Sequence, residues 1–308
     1  MTTGSHALPE TAADLPLVRS MRLGDLQIHA IDAGLQRLDG GSMFGVVPKP
    51  LWERRIPADE RNRIPLALRC LLVETADELV LIETGLGNKE ADKFVQIYGV
   101  DTNPPPGGRG ADRLQAAIFE LGHTPEDIGV VINTHLHFDH AGGNTYAEGG
   151  EVRLSFPRAR HFVQRGEWDY AHHTNERTRA SYLPHNYDPV FEADRFELLE
   201  GEGEVVPGVG VILTPGHTPH HQSVVVSSAG QTACFLADVA PTMAHLSLAW
   251  IMGYDVEPLV TLESKRRLLT RAAREDWLLV STHDPVEPWG RIRFDGKAVE
   301  FEPEPVRD

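Results

Sequence analysis

Along the amino-terminal third, apolar residues alternate or cluster over short stretches at 26–31, 66–73 and 79–82, which predicts three β-strands. The last two are separated only by Glu74-Thr75-Ala76-Asp77-Glu78, a connection suited to a hairpin. The period then changes: between Ala111 and Leu121 the apolar positions are 114, 117, 118 and 121, one face of a helix, and Gly122 is placed to end it. An apolar run at 129–132 restores strand character. A second series repeats the alternation, with strands predicted at 151–155, 160–163, 196–199, 209–213, 222–227 and 232–237. Thr261 is the expected N-cap of a helix reaching Asp276, with Leu262, Leu269, Ala272, Ala273 and Trp277 on one face. A strand at 277–281 and a hairpin from 291 to 301 around Asp295-Gly296 follow. Two strand-rich halves, each with helices, make this an α/β chain.

Composition narrows the class. With 308 residues, 41% of them hydrophobic, there is ample material for a buried core, and we assign 21–308 to a single domain. Residues 1–20, mixed in character and holding Pro9 and Pro16, read as an extended amino-terminal arm. No apolar stretch has the length of a membrane span. The start of the chain lacks the basic-then-apolar pattern of a secretory signal, so the cytoplasm is the default location. A net charge of -16 and the lack of a Lys/Arg-rich block argue against nucleic acid as a partner. The strongest basic cluster, Lys265-Arg266-Arg267 with Arg271 and Arg274, reads as a solvated helix face. Cys70 and Cys234 lie inside apolar runs and read as small buried hydrophobes. Pro104-Pro105-Pro106-Gly107-Gly108 reads as a stiff surface loop.

The chemistry concentrates after the strand at 129–132. Thr134-His135-Leu136-His137-Phe138-Asp139-His140 carries three imidazoles and a carboxylate, a mixed N/O donor set suited to Zn, Mn, Fe or Co rather than Ca or Mg. His217, Asp238 and His283 each follow a further short apolar run. Ends of neighbouring strands converge in α/β folds, so residues far apart in sequence can meet at one point.

This pattern, T-H-x-H-x-D-H followed by a distant His, an Asp and a final His, resembles the metallo-β-lactamase-fold superfamily. The resemblance implies a four-layer αββα sandwich. It also implies that His135, His137 and His217 hold one divalent metal, that Asp139, His140 and His283 hold a second, and that Asp238 and a hydroxide bridge the two. Zinc is the leading expectation for both, with Mn, Fe or Co as alternatives. Asp139 and Asp238 would act in catalysis as ionised carboxylates, Asp238 also as a proton shuttle to the leaving group.

Among members, the Gly41-Ser42-Met43-Phe44-Gly45-Val46-Val47-Pro48 segment resembles the quorum-quenching lactonase and methyl parathion hydrolase branch. Two departures stand out. Many members have Asp-Thr-Gly where this chain has Glu83-Thr84-Gly85, and the lactonases have Tyr where it has Pro241. His245 is the nearest replacement for that phenol as a substrate donor, with Tyr182 or Tyr187 as the alternative. Redox members usually carry Glu at the position of His137 together with a flavin domain, and β-lactamases lack Asp at 139, which sets both readings behind.

The expected function is therefore a dinuclear metallohydrolase cleaving a lactone or related ester of a neutral or amphipathic small molecule. Alternatives are phosphotriester hydrolysis, a mono-iron dioxygenase acting on a thiol or persulfide, and a fold-sharing binding protein. RNA phosphodiester cleavage is disfavoured by charge. The aromatic segment 164–187 is either a cover over the site or a docked part of the core, and 40–47 either a substrate wall or a contact between copies in a homodimer. His220 and His221 read as lying behind the ligands or exposed, and His6, His29, His123 and His161 as ordinary.

Overall fold

Successive residues of the central strands bury into different layers, which fixes the architecture. The computed structural model describes residues 7–305, so His6 lies outside the described residues. From the amino end, β1 (Val18–Leu23), β2 (Leu26–Asp39), β3 (Arg63–Glu74), β4 (Leu79–Ile82) and β5 (Ile128–Ile132) lie side by side. A separate hairpin, β6 (Thr145–Glu148) and β7 (Glu151–Leu154), interrupts them before β8 (Arg160–Gln164) and β9 (Phe196–Leu199) complete a seven-stranded sheet. The second seven-stranded sheet runs in chain order through β10 (Gly203–Val206), β11 (Val209–Leu213), β12 (Gln222–Ser228), β13 (Gln231–Phe235), β14 (Leu278–Val280), β15 (Trp289–Phe294) and β16 (Val299–Pro303).

Ile28, Leu71, Val73, Val80, Ile82, Val130 and Ile132 of the first sheet meet Val224, Val226, Ala233, Phe235, Leu278 and Val280 of the second in one core. The residues between them face outward. Cys70, Leu72, Leu81 and Val131 pack under the helix Arg113–Glu120 through Leu114, Ala117 and Ile118. Cys234, Leu236 and Leu279 pack under the helix Pro258–Arg274 through Leu268, Leu269 and Ala272. Strict alternation between two apolar faces thus yields the αββα order, because each sheet is covered on both sides. The two cysteines sit in opposite outer layers, both buried and unbridged.

Several boundaries move. Residues 18–20, assigned to the arm, belong to β1, held against β2 by antiparallel pairing from Val18↔Ile31 to Leu23↔Leu26. The first long helix starts after Asp112, whose carboxylate accepts from the Gln115 amide at 2.9 Å. The last helix starts at Pro258, and Thr261 lies inside its first turn. Residues 40–44 form a short helix, capped by Asp39 accepting from the Ser42 amide. Lys265 corrects the reading of a solvated helix face: it is buried, and its Nζ donates to the carbonyls of His245 at 2.9 Å and Trp250 at 2.6 Å. Arg266, Arg267, Arg271 and Arg274 are exposed on that helix as expected. Among the described residues, no helix is long and apolar enough to cross a membrane.

Candidate metal centre

Four loops at strand ends build the site. Asn133 to His140 follow β5, Thr214 to His221 join β11 to β12, Asp238 follows β13 and His283 follows β14. The sheets are stitched together at this edge. Gln222 donates from Nε2 to Asn133 O at 2.9 Å, while Ala67 N and Arg69 N of β3 donate to His283 O and Thr282 O. The loop Glu83-Thr84-Gly85 supports the histidine motif from below: Thr84 N donates to His140 O at 2.9 Å, and Glu83 Oε1 accepts from Thr134 N at 2.8 Å. Glu83 holds a φ of 65° and Ala237, just before Asp238, a φ of 49°. Left-handed backbone at two non-glycine residues beside one site is strain retained where side chains must be aimed.

His135 Nε2 and His217 Nε2 each lie 3.1 Å from His137 Nδ1. Nitrogens bound at about 2.0–2.1 Å to one tetrahedral zinc would stand about 3.3 Å apart. Asp139, His140 and His283 form the second close group, with His283 Nε2 at 3.3 Å from His140 Nε2. Asp238 spans the two: Oδ2 is 3.1 Å from His217 Nε2 and 3.5 Å from His140 Nε2, and Oδ1 is 3.3 Å from His283 Nε2. That Oδ1 is buried without a hydrogen-bond partner, and His137 Nδ1, faced by two imidazole nitrogens, can share a proton with only one of them at a time. This donor set fits divalent cations.

Electrostatics agree. Burial alone would raise the Asp238 carboxyl, but His140, His217 and His283 hold it well below its ordinary range. Burial, then their imidazole neighbours, push His135 and His137 well down and keep them neutral, the form that ligates. Behind the ligands, His283 Nδ1 donates to Ala67 O at 2.7 Å and His217 Nδ1 faces Asp255 Oδ1 at 2.9 Å. His221, buried, accepts from the Asp238 amide through Nε2 at 3.2 Å, whereas His220 is exposed. Asp255, Glu167 and Gln36 were missed in the sequence, since a single polar residue in a loop, helix or strand carries no periodic signal. Glu167 is fully buried and accepts from Leu136 N, Tyr182 Oη and Thr218 Oγ1, tying the motif loop to the His217 loop.

Above the site lies a cavity of about 310 Å³ whose floor includes His137, Asp139, Asp238 and His283. Its walls mix apolar side chains, Leu38, Met43, Leu66 and Met252 among them, with polar ones, and two phenols, Tyr98 and Tyr254, reach it. The segment 164–187 does both things considered for it. Tyr182 and Tyr187 dock into a core cluster with Leu136 and Val163, and Arg177, Thr178 and Ser181 line the cavity.

The structure does not bring His245 to the cavity, which corrects its assignment as a substrate donor. Its Nε2 meets Met43 O and its Nδ1 meets Thr242 Oγ1, both at 2.8 Å, and its ring stacks on Phe44 at 4.5 Å. A ring in an apolar layer with both nitrogens satisfied by protein is a packing element. Neither alternative phenol replaces it: Tyr182 Oη donates to Glu167, and Tyr187 Oη to Ala171 O.

Residues 64–283 match the family model described as the metallo-beta-lactamase superfamily. An N-acyl homoserine lactonase from Bacillus sp is 31% identical over 226 residues, 72% of this chain and 82% of the relative. A probable metal-dependent hydrolase from Staphylococcus aureus superposes with a TM-score of 0.82 at 31% identity, covering 92% of this chain and 99% of the other. AidC, a dizinc quorum-quenching lactonase, superposes with a TM-score of 0.77 over 94% of this chain and 98% of its own, at 19% identity, a likeness of fold.

Proposed function

The chain belongs to the metallo-beta-lactamase superfamily and is a metal-dependent hydrolase, and from that premise we propose that it opens a lactone or cleaves a related carboxylic ester at two divalent ions, zinc foremost. The observation that carries the dinuclear reading is Asp238, whose two oxygens face histidines of both ligand groups. His135, His137 and His217 would hold one ion, Asp139, His140 and His283 the other, with Asp238 shared. Bound there, the ions would lower the pKa of the attacking water and polarise the reacting carbonyl.

The chain's own groups supply the rest. Leu38, Met43 and Met252 shield the reacting carbonyl from bulk water and favour a neutral or amphipathic molecule. As water adds to the carbonyl carbon, Asp238 takes its proton; as the ring or ester C–O bond breaks, that proton passes to the leaving alkoxide. The similarity to N-acyl homoserine lactonases supports lactones over phosphotriesters. Metal analysis with a parallel screen on lactones, aryl esters and phosphotriesters tests this reading. Two ions per chain and the highest kcat/KM on a lactone are expected. A single ion at full activity overturns the dinuclear site, and a higher kcat/KM on an aryl phosphotriester overturns the substrate order.

A further inference from the structure

We infer that Gln36, on the long strand β2, is a positioning residue that aims Asp139 and thereby sets the affinity of the second ion. This rests on the dinuclear reading above. Gln36 is completely buried, and its Nε2 donates to Asp139 Oδ2 at 2.5 Å, across 103 residues of sequence. Its other polar atom, Oε1, is buried without a hydrogen-bond partner, so the side chain's hydrogen bonding is spent on Asp139. A buried amide left half-satisfied is costly, and a residue kept solely for packing would be apolar.

The strand explains how Gln36 arrives there. The β2–β3 register shifts between Asp32 and Leu35, and Gln36 then pairs with Leu66. Directly opposed residues on antiparallel strands project to the same face, and Leu66 lines the cavity. Without the shift Gln36 would share the face of Ile28 and Ala30, in the core between the sheets; with it, Gln36 projects on the face of Leu66, toward the metal centre.

Asp139 needs such a partner. Its Oδ1 stands 3.7 Å from His140 Nε2 and its Oδ2 3.6 Å from His283 Nε2, looser than the contacts within the first group. The carboxylate torsion is a broad, two-fold rotor, and one fixed hydrogen bond selects its plane. A carboxamide does this without adding charge: Glu would repel Asp139, and Lys or Arg would compete with the cation.

The test is stepwise metal uptake. Metal-free wild type and Gln36→Leu are titrated with Zn²⁺ against a chelator, and Co²⁺ spectra report ligand geometry. The expected result is an unchanged first equivalent and a second weakened by about 10- to 100-fold, the usual effect of losing a ligand's hydrogen-bond partner. A second equivalent as tight as in wild type, or both weakened alike, overturns the assignment. Gln36→Asn, which keeps the amide but shortens its reach, is read by the same criterion if the leucine variant fails to fold. Wild type that takes up one ion overturns the dinuclear reading itself, an outcome separate from two ions bound equally by wild type and variant.

Discussion

Asp255 Oδ1 lies 2.9 Å from His217 Nδ1, on the side of the ring away from Asp238. Burial tends to lower the His217 imidazole, but Asp238 and Asp255 raise it above its ordinary value. The carboxylate fixes the tautomer and makes the facing nitrogen a stronger ligand. Arg177 in turn donates to the Asp255 and Gly253 carbonyls, so the segment 164–187 is latched to the loop behind His217.

Asp255→Asn keeps the volume and removes the charge. Affinity for the ion held by His135, His137 and His217 is expected to fall about 10- to 100-fold, measured by chelator competition. Affinity equal to wild type would show that Asp255 only packs the loop.

His245, packed away from the cavity, and Tyr254, whose phenol reaches it, call for opposite outcomes. His245→Ala is expected to lower Tm, since it removes the stack on Phe44 and leaves Met43 O without its partner, while kcat of the folded, metal-loaded protein is kept. Tyr254→Phe keeps the ring that lines the cavity and removes the hydroxyl, a phenol that partial desolvation pushes above its ordinary range. Its kcat on the best lactone is expected to fall about ten- to a thousand-fold with metal content intact. An unchanged kcat makes Tyr254 a passive wall, and Tyr98→Phe is then the next substitution to measure.

What could be read in the sequence was whatever repeats or clusters. Alternation located most strands, including the full extents of β4, β9 and β11, and the histidine motif named residues that the fold gathers within a few ångströms. Tertiary choices were not legible. Lys265 sits in a charged run yet turns inward to three loop carbonyls, and His245 looks chemically able yet spends both nitrogens on backbone and threonine. Gln36 and Asp255 act across the fold, and only the register shift in β2 and the loop before the last helix place them.

Gly143 shows how little room the support loop leaves. A Cβ there would stand 2.1 Å from the Thr84 carbonyl oxygen, backbone that cannot swing aside. Gly143→Ala must push the 83–85 loop off the motif that it holds through Thr84 and Glu83. A Tm lowered by several degrees with reduced metal retention is expected in thermal unfolding and elemental analysis, and wild-type values for both would contradict the tight packing.

Acid sensitivity is expected to track a histidine outside the candidate ligand groups. Burial pushes the His161 imidazole down to about 3, whereas the unfolded chain titrates it near its ordinary 6.5. Between those values the unfolded state binds more protons, so stability falls as pH falls, at up to about 1.4 kcal/mol per pH unit from this group. Above 6.5 both states hold it neutral and the effect vanishes. His161→Phe keeps an aromatic ring against Phe196 and removes the titration. Because the variant keeps every proposed metal ligand, the pH dependence of metal binding is common to both proteins and cancels in the comparison. Urea unfolding from pH 7 to pH 4 should give the variant a shallower loss of stability than wild type, the gap closing above about pH 6.5. Parallel curves over that range would mean that His161 takes up its proton in the folded state as readily as in the unfolded one.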